Sequence, residues 1–89
     1  MFTTYILYSQ SLGKFYTGQT EDIERRVEEH NRGKTTFMKK GVPWKLLYSK
    51  SFETRSEAMQ LEKKIKKRGA QRFLIDLGLA VGWRITLRA

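Results

Sequence analysis

The chain has 89 residues, enough for one domain with a small core, and no cysteine, which excludes a disulfide framework and any thiolate metal site. Its formal net charge of +9 is unevenly spread: residues 1–33 hold 4 basic and 5 acidic groups, leaving 14 basic and 4 acidic in residues 34–89. That asymmetry fits a polyanion such as nucleic acid better than an anionic membrane, since no basic helix here also carries a broad apolar face. There is no apolar run of about 18 residues and no basic–apolar–small leader, so neither a membrane span nor a signal peptide is expected. With no cysteine used, a reducing, cytoplasmic setting is the expectation.

The elements follow in order. Thr3–Tyr8 is a β-branched and aromatic run, Ser9–Gly13 is turn material, and Lys14–Gly18 is a second short run, together an antiparallel hairpin. Thr20 reads as the N-cap of a helix over Glu21–Arg32, with Glu21, Asp22 and Glu24 complementing its N-terminus and Gly33 ending it. Lys34–Gly41 reads as a basic loop before Pro43, and Trp44–Phe52 as a third strand. Thr54 and Glu57 form a capping-box pair for a second helix over Arg55–Arg68. Gly69 breaks it, and Gln71–Leu77 is a shorter third helix. From Trp83 to Arg88 apolar and polar residues alternate, the pattern of an edge strand or of a frayed tail. The order β-β-α-β-α-α predicts a small α/β domain of α+β sandwich type: a three-stranded antiparallel sheet flanked by helices over residues 1–80, with residues 81–89 as a tail or extra strand.

Some residues stand out against that frame. At about 100° per residue, Ile23 and Val27 define the buried stripe of the first helix, and Arg26 and His30 flank it one turn apart. On the second helix Ala58, Leu61 and Ile65 form the apolar stripe, and Glu62 projects within the same arc. An inward carboxylate is costly unless a cation compensates it. A salt bridge to a basic side chain and a divalent metal ion are the two solutions. Tyr5 and Tyr16 lie on neighbouring strands, so their hydroxyls can converge, while Gly18 reads as a bulge or a point of close backbone approach. The run Lys63, Lys64, Lys66, Lys67 and Arg68, with Lys39 and Lys40 in the preceding loop, is either a solvated face or a track for a phosphate backbone.

Taken together these residues resemble the GIY-YIG nuclease superfamily, in particular its small stand-alone bacterial members. Thr3-Thr4-Tyr5 stands at the first half-motif, keeping only its tyrosine, and Tyr16-Thr17-Gly18 stands at the second. The stretch TGQTEDIERRVEEHNRGK (17–34) is similar to the family's first-helix signature, and PWKLLYSKSFETRSEAMQLEKKIKK (43–67) to the block ending near its metal-binding glutamate. The resemblance covers about residues 3–75. It implies an endonuclease dependent on one divalent ion, Mg²⁺ or Mn²⁺, with no small-molecule cofactor. Glu62 would hold the ion, Tyr16 act as general base, Arg26 contact the scissile phosphate and Tyr5 position the nucleophile, with His30 assisting. A free phenol, with a pKa of about 10, needs neighbouring cations or a metal to serve as a base at neutral pH. Two positions depart from the family pattern. No asparagine follows Glu62, the only Asn being Asn31, and Gln19 stands where repair-associated members often carry lysine.

The expected function is thus metal-dependent hydrolysis of phosphodiester bonds in DNA, with RNA left open. Structure-selective or weakly specific cleavage in repair, recombination or nucleic-acid turnover is the leading form. The competing readings are a non-catalytic nucleic-acid-binding module and an interaction domain docking through a sheet edge. No base-reading element is evident, and a monomer or weak homodimer is expected.

Overall fold

The computed structural model describes residues 1–78. Strand β1 (Phe2–Ser9) pairs antiparallel with β2 (Lys14–Thr20), placing Tyr5 opposite Gly18 and Leu7 opposite Tyr16. The turn between them passes through Gly13 at φ 63°, a left-handed conformation that favours glycine. Helix α1 (Ile23–Arg32) follows, and its cap is Asp22, whose carboxylate accepts the Arg25 N–H at 3.1 Å. Thr20, the expected cap, is instead the last residue of β2, paired with Thr3, and its hydroxyl accepts the Asp22 N–H at 3.2 Å. Sheet pairing thus moves the helix start two residues on from the sequence expectation.

The basic loop expected over residues 34–41 contains a one-turn helix, α2 (Thr36–Lys40). Thr35 caps it by accepting the Met38 N–H at 3.1 Å, and the Phe37 ring packs on Trp44 with centroids 5.7 Å apart. Strand β3 (Trp44–Phe52) pairs antiparallel with the other edge of β1, giving the order β2-β1-β3. Its register slips once, because Ile6 faces Tyr48 while Leu7 faces Leu46 and Leu47 is left over, a β-bulge. Helix α3 (Arg55–Arg68) starts at the Thr54–Glu57 pair as expected, and α4 (Ala70–Asp76) follows Gly69. The three-stranded antiparallel sheet flanked by helices is therefore the one anticipated. The alternating strand expected over residues 83–88 and the tail over 81–89 lie outside the described residues.

Strand β1 is buried along both faces, and its alternation divides the core. Tyr5 and Leu7 face one way, with Trp44, Tyr16, Ile23 and Val27. Ile6 faces the other, with Ile65, Phe73 and Leu74, and the neighbouring Thr4 hydroxyl donates to the Ala58 carbonyl at 2.6 Å. Helix α1 covers the first face, α3 and α4 the second. On α1 the stripe differs from the periodicity reading: Ile23 and Val27 are half-buried, and the fully buried residue is His30.

The reason is an anchor at the C-terminal end of α1. The Asn31 amide brackets the first residue of β3, its Oδ1 accepting the Trp44 N–H at 2.6 Å and its Nδ2 donating to the Trp44 carbonyl at 3.3 Å. This draws the last turn of α1 onto the sheet. At the other end Ile23 and Val27 border a shallow cleft with Leu46. Removing both bonds leaves half-buried backbone groups unpaired, so Asn31→Ala is expected to cost about 1–3 kcal/mol, read as a lower urea midpoint at unchanged m-value.

Candidate active site

The site grows from Gly18. A Cβ at that position would lie 2.8 Å from the Tyr5 hydroxyl oxygen and 3.4 Å from the Tyr16 ring, so the glycine is what lets the Tyr5 phenol lie across β2. Close approach, and no special backbone conformation, accounts for this residue. The Tyr5 and Tyr16 rings then stack with centroids 6.4 Å apart. His30 reaches them from α1, 4.5 Å from the Tyr16 ring and 6.5 Å from the Tyr5 ring, and Trp44 closes the box 5.7 Å from His30. Trp44 is itself fixed, its Nε1 donating to the Met38 carbonyl at 2.9 Å. Gly41 makes room for it, since a Cβ there would fall 2.4 Å from the indole.

The tautomer of His30 follows from its partner. Nδ1 lies 3.2 Å from the Arg26 carbonyl oxygen, which can only accept, so Nδ1 carries the proton and Nε2 presents a lone pair. Burial pushes the imidazole pKa below its usual value, and the neighbouring Arg26 charge adds to that against the opposing hydrogen bond. His30 is therefore neutral at pH 7. Its Nε2 is buried and has no hydrogen-bond partner.

Arg26 sits one turn earlier and borders a polar cleft with Gln19, Thr20, Arg25, Glu29 and Arg55. Its Nε is also buried without a hydrogen-bond partner, the nearest carboxylate oxygen, on Glu29, being 3.8 Å away. Glu29 is already taken up by Lys34 at 3.0 Å and Arg25 at 3.5 Å, and the Lys34 hydrogen bond leads in holding its carboxyl below the ordinary range. The Arg26 guanidinium is thus only loosely held and faces open space. Among the described residues, Arg26 Nε and His30 Nε2 are the buried side-chain atoms with no hydrogen-bond partner. One is a donor and the other an acceptor, within a single site.

Tyr5 is almost wholly buried, and burial, with Tyr16 next in weight, drives its phenol pKa well above the ordinary value. The Glu62 carboxylate adds to this rise and Arg26 opposes it, which places Tyr5 within electrostatic reach of both. Tyr5 therefore keeps its proton, so its hydroxyl is able to donate a hydrogen bond. Glu62 is half-buried on α3, and its carboxylate pairs with Lys66 at 2.7 Å. The salt-bridge solution expected for an inward carboxylate is thus present. Among the described residues no three carboxylate, imidazole or thiol groups converge on one point, so a closed protein cage for a metal is not built. A single hard carboxylate remains. That donor fits an ion such as Mg²⁺, which keeps several waters and binds through one or two carboxylates plus substrate phosphates.

The structure thus packs Tyr5, Tyr16 and His30 ring against ring, while Arg26 and Glu62, from opposite helical layers, both act electrostatically on the Tyr5 phenol. The proposed nucleic-acid contacts lie apart from one another. Lys63, Lys64, Lys66 and Lys67 are exposed on α3, and Lys39 and Lys40 lie on the last turn of α2. Arg68 forks onto Asp76, through Nε at 2.8 Å and Nη2 at 3.0 Å, and ties α3 to α4. Sequence reasoning did not find Asn31 and Trp44 as supports of the site, nor Lys66 as the partner of Glu62. The last had a visible signal, the Glu-to-Lys spacing of four on a helix.

Fold and site describe a small basic domain in which two tyrosines and a buried histidine pack together beside an arginine. Residues 1–73 match the model of the GIY-YIG catalytic domain, and the chain belongs to that nuclease-type family. It is similar to a UPF0213 protein of Streptococcus agalactiae serotype V, 42% identical over 60 residues covering 66% of this chain and 68% of that one. A UPF0213 protein of Halobacterium salinarum is 45% identical over 56 residues, 62% of this chain and 73% of its own. One of Staphylococcus aureus strain N315 is 41% identical over 63 residues, 70% and 77% respectively. No solved structure matches the chain.

His30 is the one histidine in the chain, so its titration can be followed directly. Its folded pKa lies below the unfolded value of about 6.5, so between the two the unfolded state binds more protons. Stability is then fully present above about pH 6.5 and falls as pH drops toward the folded pKa. The expected outcome is an imidazole NMR titration midpoint below 6.5, together with a urea midpoint lower at about pH 5.5 than at about pH 7.5.

Proposed function

We propose that this domain is a divalent-metal-dependent endonuclease that hydrolyses phosphodiester bonds in DNA, structure-selective or weakly specific, and acting in repair, recombination or nucleic-acid turnover. The observation that carries this reading is a pair of buried atoms without a hydrogen bond, Arg26 Nε, a donor whose ion pair with Glu29 is a long 3.8 Å, and His30 Nε2, an acceptor packed against two tyrosines. Hydrolysis needs such a pair: a cation for the charge developing on phosphate, and an acceptor for the proton that water loses.

Arg26 binds the scissile phosphate, because its guanidinium is always charged and presents a planar fork of donors. Tyr5 stays protonated and donates a hydrogen bond that orients the attacking water. Tyr16 is the general base, and neutral His30, whose ring lies against the Tyr16 ring, accepts the proton relayed from it. The new bond joins the water oxygen to phosphorus as the bond to the leaving sugar oxygen breaks. Glu62 would hold the Mg²⁺ or Mn²⁺ ion, which when bound would supply Lewis-acid stabilisation of phosphate charge. Cytoplasmic DNA fits the charge of the chain and its lack of cysteine.

The direct test is incubation with supercoiled plasmid and branched DNA in Mg²⁺ or Mn²⁺. Nicking is expected with the wild type, and none with Glu62→Ala or with chelator. Arg26→Ala should lower the rate by about 10²–10³-fold while leaving binding largely intact, since Arg26 is one cation among many. DNA binding without nicking would overturn the enzymatic reading in favour of a binding module.

The α3 lysines make a second prediction. If Lys63, Lys64 and Lys67 face phosphates, their joint replacement by alanine should reduce the slope of log affinity against log salt. The expected change is about 0.9 for each duplex phosphate that is no longer neutralised. An unchanged slope in a fluorescence-anisotropy titration would identify them as a solvated face.

A further inference from the structure

Lys66 borders two places at once. Its ammonium lies 2.7 Å from the Glu62 carboxylate. Its side chain also lines a cleft between β2 and the α3–α4 junction, together with Lys14, Phe15, Tyr16, Thr17 and Ala70. Tyr16 of β2 is among the residues that line the cleft, and two lysines border it. Among the described residues Glu62 has no ion pair other than Lys66. The two partners differ in freedom: the Glu62 side chain is 21% exposed and the Lys66 side chain 58%. The half-buried carboxylate is the more confined of the two, and the long exposed lysine is the partner able to leave.

We infer that Lys66 is a two-position substrate cation. In the free protein it neutralises Glu62. When a divalent ion takes the carboxylate, Lys66 is released to bind a phosphate of the nucleic-acid strand lying in the adjoining cleft, beside Lys14. This rests on the assignment of Glu62 as the metal-holding residue and goes beyond it by naming the competitor for that carboxylate and the residue's second ligand. The physical case has three parts. A half-buried carboxylate needs a cation in either state. One carboxylate cannot serve an ammonium and a divalent ion equally, because the two cations repel at such range. A lysine ammonium is a compact point charge on a flexible stem, suited to exchange one oxyanion for another. Metal and strand then help each other's binding, since each favours the same position of Lys66, and the coupling is reciprocal.

Lys66→Met keeps the stem and removes the charge at an exposed position, so the fold should survive. Mn²⁺ binding is measured by the electron paramagnetic resonance signal of the free ion, without DNA, for wild type, Lys66→Met and Glu62→Gln. The expected result is a dissociation constant for Lys66→Met about two- to five-fold below wild type, the range set by an exposed ion pair, and a large loss of binding for Glu62→Gln. A second arm uses fluorescein-labelled DNA with Arg26→Ala protein, in which cleavage is suppressed. There Mn²⁺ should raise DNA affinity, and adding Lys66→Met should remove about two- to five-fold of that enhancement.

If Glu62→Gln binds Mn²⁺ as well as wild type, the metal assignment fails and this inference falls with it. If Glu62→Gln loses Mn²⁺ but Lys66→Met binds it no tighter than wild type, the metal assignment stands and the inference alone is overturned. An undiminished Mn²⁺ enhancement in the Arg26→Ala/Lys66→Met protein would likewise remove Lys66 from the strand.

Discussion

The constraint on which the rest depends is that β1 is buried on both faces. A strand in that position must feed two cores at once, and strict alternation of side chains decides which residue goes where. Tyr5 and Leu7 fall to the layer under α1, and Ile6 to the layer under α3 and α4. A slip of one residue would send the Tyr5 phenol into the aliphatic layer and dismantle the site. The bulge at Leu47 adjusts β3 to this central strand and keeps Trp44 on the site face and Tyr48 on the other. The face that carries the candidate site is thus a consequence of how the sheet is filled.

Burial also sets the chemistry of each group. Tyr5 and His30 are both nearly inaccessible, and desolvation favours the uncharged form of each, a protonated phenol and a neutral imidazole. Each therefore rests uncharged at neutral pH. Positive charge at this point comes from Arg26, whose nearest carboxylate is drawn away by Lys34 and Arg25, and negative charge from Glu62. The remaining cations lie on outer faces, where each contributes to a polyanion's approach more than to the stability of the fold.

Local signals were legible where one short-range rule acts alone. The Thr54–Glu57 pair marked α3 to the residue, because capping is a contact within one turn. Thr35 carried the same kind of signal for α2, yet a basic, polar stretch of eight residues (34–41) reads as a loop, and the Phe37–Trp44 contact that steadies the turn is tertiary. Thr20 shows the opposite case: a good cap by type, claimed by the sheet, so that Asp22 caps α1 instead.

By itself the sequence determined the order of elements, the hairpin, the asymmetric charge and the family, since these rest on periodicity, capping chemistry and motif spacing along the chain. It also placed Tyr5, Tyr16, Arg26, His30 and Glu62 on elements able to converge. Only the tertiary structure decided what each of them meets. The proton of His30 sits on Nδ1 because the Arg26 carbonyl lies there; Gly18 is required because Tyr5 crosses it; Glu62 is neutralised by a lysine that also borders the cleft beside Tyr16. Such facts depend on distances between atoms far apart in the chain, or on which of several nearby cations wins a carboxylate. Packing settles both; the sequence shows at most that a pairing is possible, as the spacing of four between Glu62 and Lys66 does.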